Sequence, residues 1–206
     1  MERAALRGPV MGYFDELFTG RVLAILRGFE PQRTVELAER AWDLGIDAIE
    51  VPVESSRAEP SLRAAVAAGA ERGRPVGAGT VIDPEQLRAV RSAGAAFTVA
   101  PGLDPEIVRL SAELELPHLP GVSTPTEIQR AMRLGLRWVK AFPAAELGSS
   151  WFKAMRGPFP GLRVVATGGM TAHNAPEFLA AGADVVAVGS ALADDAQLPA
   201  LAELIS

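Results

Sequence analysis

One lysine sits in the middle of an apolar segment, Trp138-Val139-Lys140-Ala141-Phe142-Pro143-Ala144. Among the lysines and arginines of the chain only Lys140 and Lys153 are lysine, so arginine is what this chain carries where positive charge alone is wanted. Arginine keeps its proton at working pH, whereas a buried lysine shifts its pKa readily and becomes a nucleophile. Lys140 therefore reads as an amine kept for its chemistry. The plainer alternative is a strand-end lysine whose stem packs and whose head reaches water.

Other polar residues interrupt or follow apolar runs in the same way. Arg27 follows Val22-Leu23-Ala24-Ile25-Leu26, Glu50 lies within the run 48–53 with Glu54 just beyond it, and Thr80 follows the run 75–79. Thr167 closes the run 163–167, and Ser190 stands two residues past the run 185–188. Continuous rather than alternating apolar strands imply a parallel sheet buried on both faces.

Between these runs lie helical stretches, several opened by proline (Pro60, Pro84, Pro105) and closed by glycine (Gly45, Gly94, Gly135, Gly182). These are the positions each residue favours at a helix start and just past a helix end. The alternation gives eight strand–helix units, preceded by a short amphipathic helix over 13–18 and a polar tail over 1–10. Eight units with no linker predict one domain over 1–206, a closed (β/α)8 TIM barrel, compact beside the ~250 residues usual for that fold. An open doubly wound sheet is the alternative.

Barrel strands send alternate residues toward the axis, and alternate strands contribute to one layer. Strands two and six are both even and lie opposite each other, so Glu50 and Lys140 fall in one interior layer at the catalytic end. A buried acid facing a buried amine suits acid–base and imine chemistry. It is also what a self-satisfied ion pair would look like. Thr167-Gly168-Gly169 and Val188-Gly189-Ser190 end strands seven and eight, where barrels commonly cradle phosphate on backbone N–H groups. Gly77-Ala78-Gly79-Thr80 lacks the third glycine of a dinucleotide fingerprint, and reads as close backbone approach beside a threonine hydroxyl or as a simple turn.

Composition narrows the partners. The net charge is -5, without a basic stripe, which argues against nucleic acid. No run has the length of a membrane span and the N-terminal residues lack the apolar core of a secretory signal, so the cytoplasm is the expected compartment. There is no cysteine, excluding thiolate catalysis and disulfides. His118 and His173 lack metal-ligand spacing, so no metal and no cofactor are expected. Trp42, Trp138 and Trp151 read as packing.

The motifs Ile49-Glu50-Val51, Gly77-Ala78-Gly79-Thr80-Val81, Ala100-Pro101-Gly102, Pro120-Gly121-Val122-Ser123-Thr124-Pro125, Lys140-Ala141-Phe142-Pro143-Ala144 and Thr167-Gly168-Gly169 occur in order. Together they resemble the 2-keto-3-deoxy-6-phosphogluconate / 4-hydroxy-2-oxoglutarate aldolase family, class I aldolases on a (β/α)8 barrel. The resemblance implies that Lys140 forms a Schiff base with the keto acid and that Glu50 shuttles protons through water. It further implies that Thr80, Pro101, Phe142 and Thr167 line the keto-acid pocket, that Gly168, Gly169, Gly189 and Ser190 hold the distal phosphate, and that the chain is a homotrimer acting on a small keto acid.

One position departs from the pattern. Many members of that family carry an arginine four residues after the glutamate, where this chain has Glu54. Arg27 instead resembles the branch acting on the phosphogalactonate analogue, which places an arginine after strand one. On that resemblance Arg27 binds the substrate carboxylate, and Glu54 either pairs with it or contacts a substrate hydroxyl. Two other functions stay open: a phosphosugar isomerase or epimerase using Glu50 as base with no covalent step, and a barrel that only binds an anionic metabolite.

Overall fold

Short apolar strands, buried almost throughout, form the frame. The computed structural model describes residues 12–205, Ser190 through its backbone alone, and the expected polar tail at 1–10 lies outside the described residues. The strands are β1 (Val22–Ile25), β2 (Ala48–Pro52), β3 (Val76–Gly79), β4 (Thr98–Val99), β5 (His118–Leu119 and Gly121–Val122), β6 (Trp138–Ala141), β7 (Arg163–Thr167) and β8 (Val185–Val188). All pair in parallel with their sequence neighbours, and β8 returns to β1 through Val22↔Val186 and Ala24↔Val188.

Closure falls at β5. Its first half pairs with β4 through Thr98↔His118, and its second half pairs with β6 through Gly121↔Lys140. Pro120 interrupts the strand because it has no N–H to give a ladder, yet its carbonyl accepts from the Lys140 N–H at 2.9 Å. By sequence the strand here reads as 116–119, ending before Pro120. The strand in fact continues past Pro120, and that continuation closes the barrel.

Between and after the strands run helices α1 (Tyr13–Leu17), α2 (Pro31–Asp43), α3 (Glu59–Arg72), α4 (Pro84–Ser92), α5 (Pro105–Glu113), α6 (Pro125–Arg133), α7 (Ala144–Leu147), α8 (Ser149–Arg156), α9 (Ala175–Ala181) and α10 (Leu198–Ile205). Capping explains several starts. Asp83 accepts from Gln86 N, Asp104 accepts from Glu106 N, and Thr124 forms a capping box with Glu127, satisfying N–H groups that a helix start leaves free. The single helix expected after β6 is two, α7 and α8, because Gly148 takes φ +75° between them. No helix among the described residues is long and apolar enough to cross a membrane.

The two side-chain parities build two cores. Val22, Ala24, Ile49, Val51, Val139, Ala141, Val164 and Ala166 face the helices. Leu23, Ile25, Ala48, Val99, Leu119, Trp138, Val165 and Ala187 face the axis with Phe97. Phe14, Leu17 and Phe18 of the α1 region join the inner cluster, the Phe18 ring packing tilted against Trp138 with centroids 4.9 Å apart, and the Trp138 indole N–H donates to Asp15 Oδ1 at 2.9 Å. Trp138 begins β6, so α1 stops the amino end of the tube. Lys140 stands two residues above Trp138 and Glu50 two above Ala48, which puts both on the inner face, one layer nearer the open carboxyl end.

Candidate active site

A cavity of about 700 Å³ opens at the carboxyl ends of the strands. Arg27, Thr80, Pro101, Lys140, Phe142, Thr167, Gly168, Gly169 and Gly189 all line it, so residues drawn from six strand ends converge on one space. Ile25, Phe29, Met170, Thr171 and Ala187 complete its wall without having stood out in the sequence as site residues. The side chain of Ser190 lies outside the description; its backbone opens the 3-10 turn Ser190–Ala193 directly after Gly189.

Lys140 lines the cavity, whereas Glu50 stands beside Gly79 outside the lining itself, and both are buried. Burial is the largest influence on each. It pushes the Lys140 ammonium down, helped by the Arg27 charge and opposed by Glu50. It pushes the Glu50 carboxyl up, against the cations Lys140 and Arg27. Both neutral forms are thereby favoured, as expected where a charge leaves water. The two groups feel each other's charge without making a direct ion pair, and neither Glu50 carboxylate oxygen has a hydrogen-bond partner. Those lone pairs are left open to a water or a substrate group, as a proton carrier requires.

Two glycines of β3 create the room. A Cβ at Gly77 would collide with the Phe97 ring at 2.3 Å, and one at Gly79 would stand 2.8 Å from Glu50 Oε1. The Gly77-Ala78-Gly79 motif thus admits the Phe97 and Glu50 side chains, and at Gly79 the Pro52 backbone also comes close, 3.3 Å from where a Cβ would stand. Phe142 roofs the lysine, its ring centre 5.0 Å from Nζ. Behind that ring Gly168 takes φ +96°, and a Cβ there would come within 3.1 Å of Phe142.

The glycine loop is held from below. Gly169 takes φ +73° with its Cα facing Ala145, where a Cβ would approach Ala145 Cβ to 2.5 Å. Asn174 donates to the Gly169 carbonyl at 2.9 Å and accepts from the Thr171 N–H at 2.9 Å. Sequence reading missed Asn174; its signal was an Asn one residue before a helix start. Thr167 Oγ1, at the end of β7, is buried with no partner and belongs to a residue on the cavity wall.

Arg27 spans the mouth. Its Nη1 donates to Glu54 Oε2 and its Nη2 to Thr80 Oγ1, both at 3.3 Å. Thr80 holds φ +62° to present that hydroxyl, a backbone state uncommon for a residue other than glycine. Of the two roles expected for Glu54, pairing with Arg27 is the one observed, and Glu54 meets the cavity through Arg27 rather than as part of its wall.

His118 and the tryptophans lie apart from this chemistry. His118 is buried, its Nδ1 2.8 Å from Thr98 Oγ1, and burial pushes its pKa down to about 4 against a smaller opposing effect of Asp104. Trp42 packs in the outer core, and Trp151 donates to the Ser123 carbonyl at 2.9 Å.

What the closed barrel and its cavity define together is a barrel enzyme that works from the carboxyl ends of its strands. A family model described as KDPG and KHG aldolase matches residues 15–203. The chain belongs to that aldolase family. Among similar proteins, the 2-dehydro-3-deoxy-6-phosphogalactonate aldolase of Escherichia coli (strain K12) is 33% identical over 172 residues, 83% of each chain. The 2-dehydro-3-deoxy-phosphogluconate aldolase of Haemophilus influenzae is 41% identical over 148 residues, 70% of this chain and 68% of that one. A crystal structure of KDPG aldolase from Legionella pneumophila, with pyruvate captured at low pH as a covalent carbinolamine intermediate, superposes with a TM-score of 0.78 at 30% identity, covering 90% of this chain and 92% of that one.

Proposed function

We propose that the chain is a class I aldolase that reversibly cleaves a 2-keto-3-deoxy-6-phospho sugar acid, or 4-hydroxy-2-oxoglutarate, to pyruvate and an aldehyde through a Schiff base on Lys140. The observation that carries this reading is the buried Lys140–Glu50 pair, with the amine pushed down and the carboxyl pushed up by the same dry surroundings.

In this scheme the neutral Lys140 amine adds to the C2 carbonyl and water leaves to give a protonated imine. The imine then takes up the electron pair of the breaking C3–C4 bond. Glu50 moves protons, through water, between the carbinolamine oxygen, the C4 hydroxyl and C3. Arg27 receives the keto-acid carboxylate. Thr80, Pro101, Phe142 and Thr167 surround the reacting carbons, the unpartnered Thr167 hydroxyl being available to substrate oxygen. Backbone N–H groups around Gly168, Gly169, Gly189 and Ser190 hold the distal phosphate, using glycines that let the main chain face the cavity.

The resemblance of Arg27 to the phosphogalactonate branch, with a relative of that name matching over 83% of the chain, supports the phosphogalactonate epimer as substrate. Measuring pyruvate release from both C4 epimers tests it. A larger kcat/KM for the galactonate epimer is expected, and a clear preference for the gluconate epimer would reverse the assignment.

We extend the proposal to a homotrimer in the cytoplasm. The trimer is what the family resemblance implies, and a phosphorylated acid does not cross a membrane unaided. Sedimentation of the purified protein distinguishes a trimer from a monomer.

A further inference from the structure

Glu54 lies on the loop after β2, four residues beyond Glu50, and meets the Arg27 guanidinium at 3.3 Å. Charge-assisted contacts of arginine to carboxylate are ordinarily about 2.7–2.9 Å. The surface pairs Arg63–Glu59, Arg40–Asp195 and Arg72–Asp43 all reach 2.7 Å here. The Arg27 and Glu54 side chains are 50% and 43% exposed, so the pair is long, wet and easily exchanged. On its other side Arg27 is held by Thr80 Oγ1, a neutral partner fixed at the end of β3, which can keep the guanidinium oriented when Glu54 lets go.

We propose that Glu54 is a built-in competitor for Arg27, a carboxylate that the substrate's own carboxylate must displace, and that it thereby sets how strongly the site selects for an anionic head group. The proposal rests on Arg27 being the receptor for the keto-acid carboxylate. An incoming carboxylate repeats the charge and geometry that Glu54 already offers, so it can replace Glu54 at the guanidinium. A neutral head group cannot neutralise Arg27 and leaves the pair intact. After exchange Glu54 remains nearby as a second negative charge around one guanidinium, which weakens every anionic ligand by a repulsion the site would otherwise lack. Glu54 is in this sense a specificity-determining residue acting through Arg27.

The test is borohydride trapping of the imine as a function of pyruvate concentration, with pyruvamide, which has no carboxylate, as the comparison ligand. Glu54→Gln and Glu54→Ala are expected to lower half-saturating pyruvate about two- to fivefold, the range of an exposed ion pair, with a much smaller change for pyruvamide. In an Arg27→Ala background the Glu54→Gln gain should vanish, since the two residues act as one coupled pair. Half-saturating pyruvate that rises or stays put in both Glu54 variants overturns the proposal, because Glu54 would then be orienting Arg27 or doing nothing to it. An equal gain for pyruvamide overturns it as well. If Arg27→Ala alone leaves pyruvate saturation unchanged, it is the assignment of Arg27 that fails, and the proposal falls with it.

Discussion

Gly79 and Glu50 are matched across the β2–β3 pair: a Cβ on Gly79 would sit 2.8 Å from Glu50 Oε1, in a strand that runs beside β2 through Pro52↔Gly79. Gly79→Ala must therefore move the carboxyl or the strand. We expect a loss of about 1–3 kcal/mol of stability, the usual range for overpacking, and slower exchange of the pyruvate C3 protons in deuterated water, read by NMR. Unchanged melting and unchanged exchange together would show that Glu50 does not need this space.

Glu50→Gln keeps the shape and removes the proton carrier. The expected result is a fall of about 10²–10⁴-fold in C3 proton exchange, the scale of general acid–base catalysis, while pyruvate can still be trapped on the protein. Trapping that persists with exchange at the wild-type rate would take Glu50 out of the proton path.

Arg27→Ala removes the guanidinium that faces the cavity. The half-saturating pyruvate concentration should rise about tenfold or more, as for loss of a hydrogen bond to a charged group. No change would leave the carboxylate without its assigned receptor.

His118 gives a pH dependence of stability whose sign follows from its burial. Its pKa lies near 4 in the folded chain and near 6.5 when exposed, so between those values the unfolded chain binds the extra proton. The neutral imidazole's contribution is complete above about pH 6.5 and is lost as pH falls toward 4, amounting to ~3 kcal/mol over the window. Urea unfolding at pH 7 and pH 4.5 measures it. His118→Phe should flatten this part of the profile, and an unchanged slope in that variant would assign the effect to other groups.

The parts of the site that were legible in the sequence are those written in one dimension. Parity along apolar runs places Glu50 and Lys140 on the inner face, because a strand fixes side-chain direction every second residue. Glycine after strand seven marks a loop with positive φ. What could not be read needed a partner from another strand. Gly79 serves Glu50 and Gly77 serves Phe97 across neighbouring strands, and neither partner is visible from the motif. Pro120 looked like a strand end because proline cannot donate to a ladder, yet its carbonyl still accepts from Lys140. That Glu54 reaches Arg27 depended on where the two side chains extend, a matter of rotamers that sequence does not fix.

The amine of Lys140 is the centre of the account, and one measurement addresses it directly: peptide mass spectrometry after incubating the protein with pyruvate and borohydride. The reduced adduct is expected on Lys140, and Lys140→Arg, which keeps the charge and removes the nucleophile, should abolish it. No adduct under conditions that label a control class I aldolase, or an adduct carried by Lys153 and surviving Lys140→Arg, would contradict the Schiff-base mechanism.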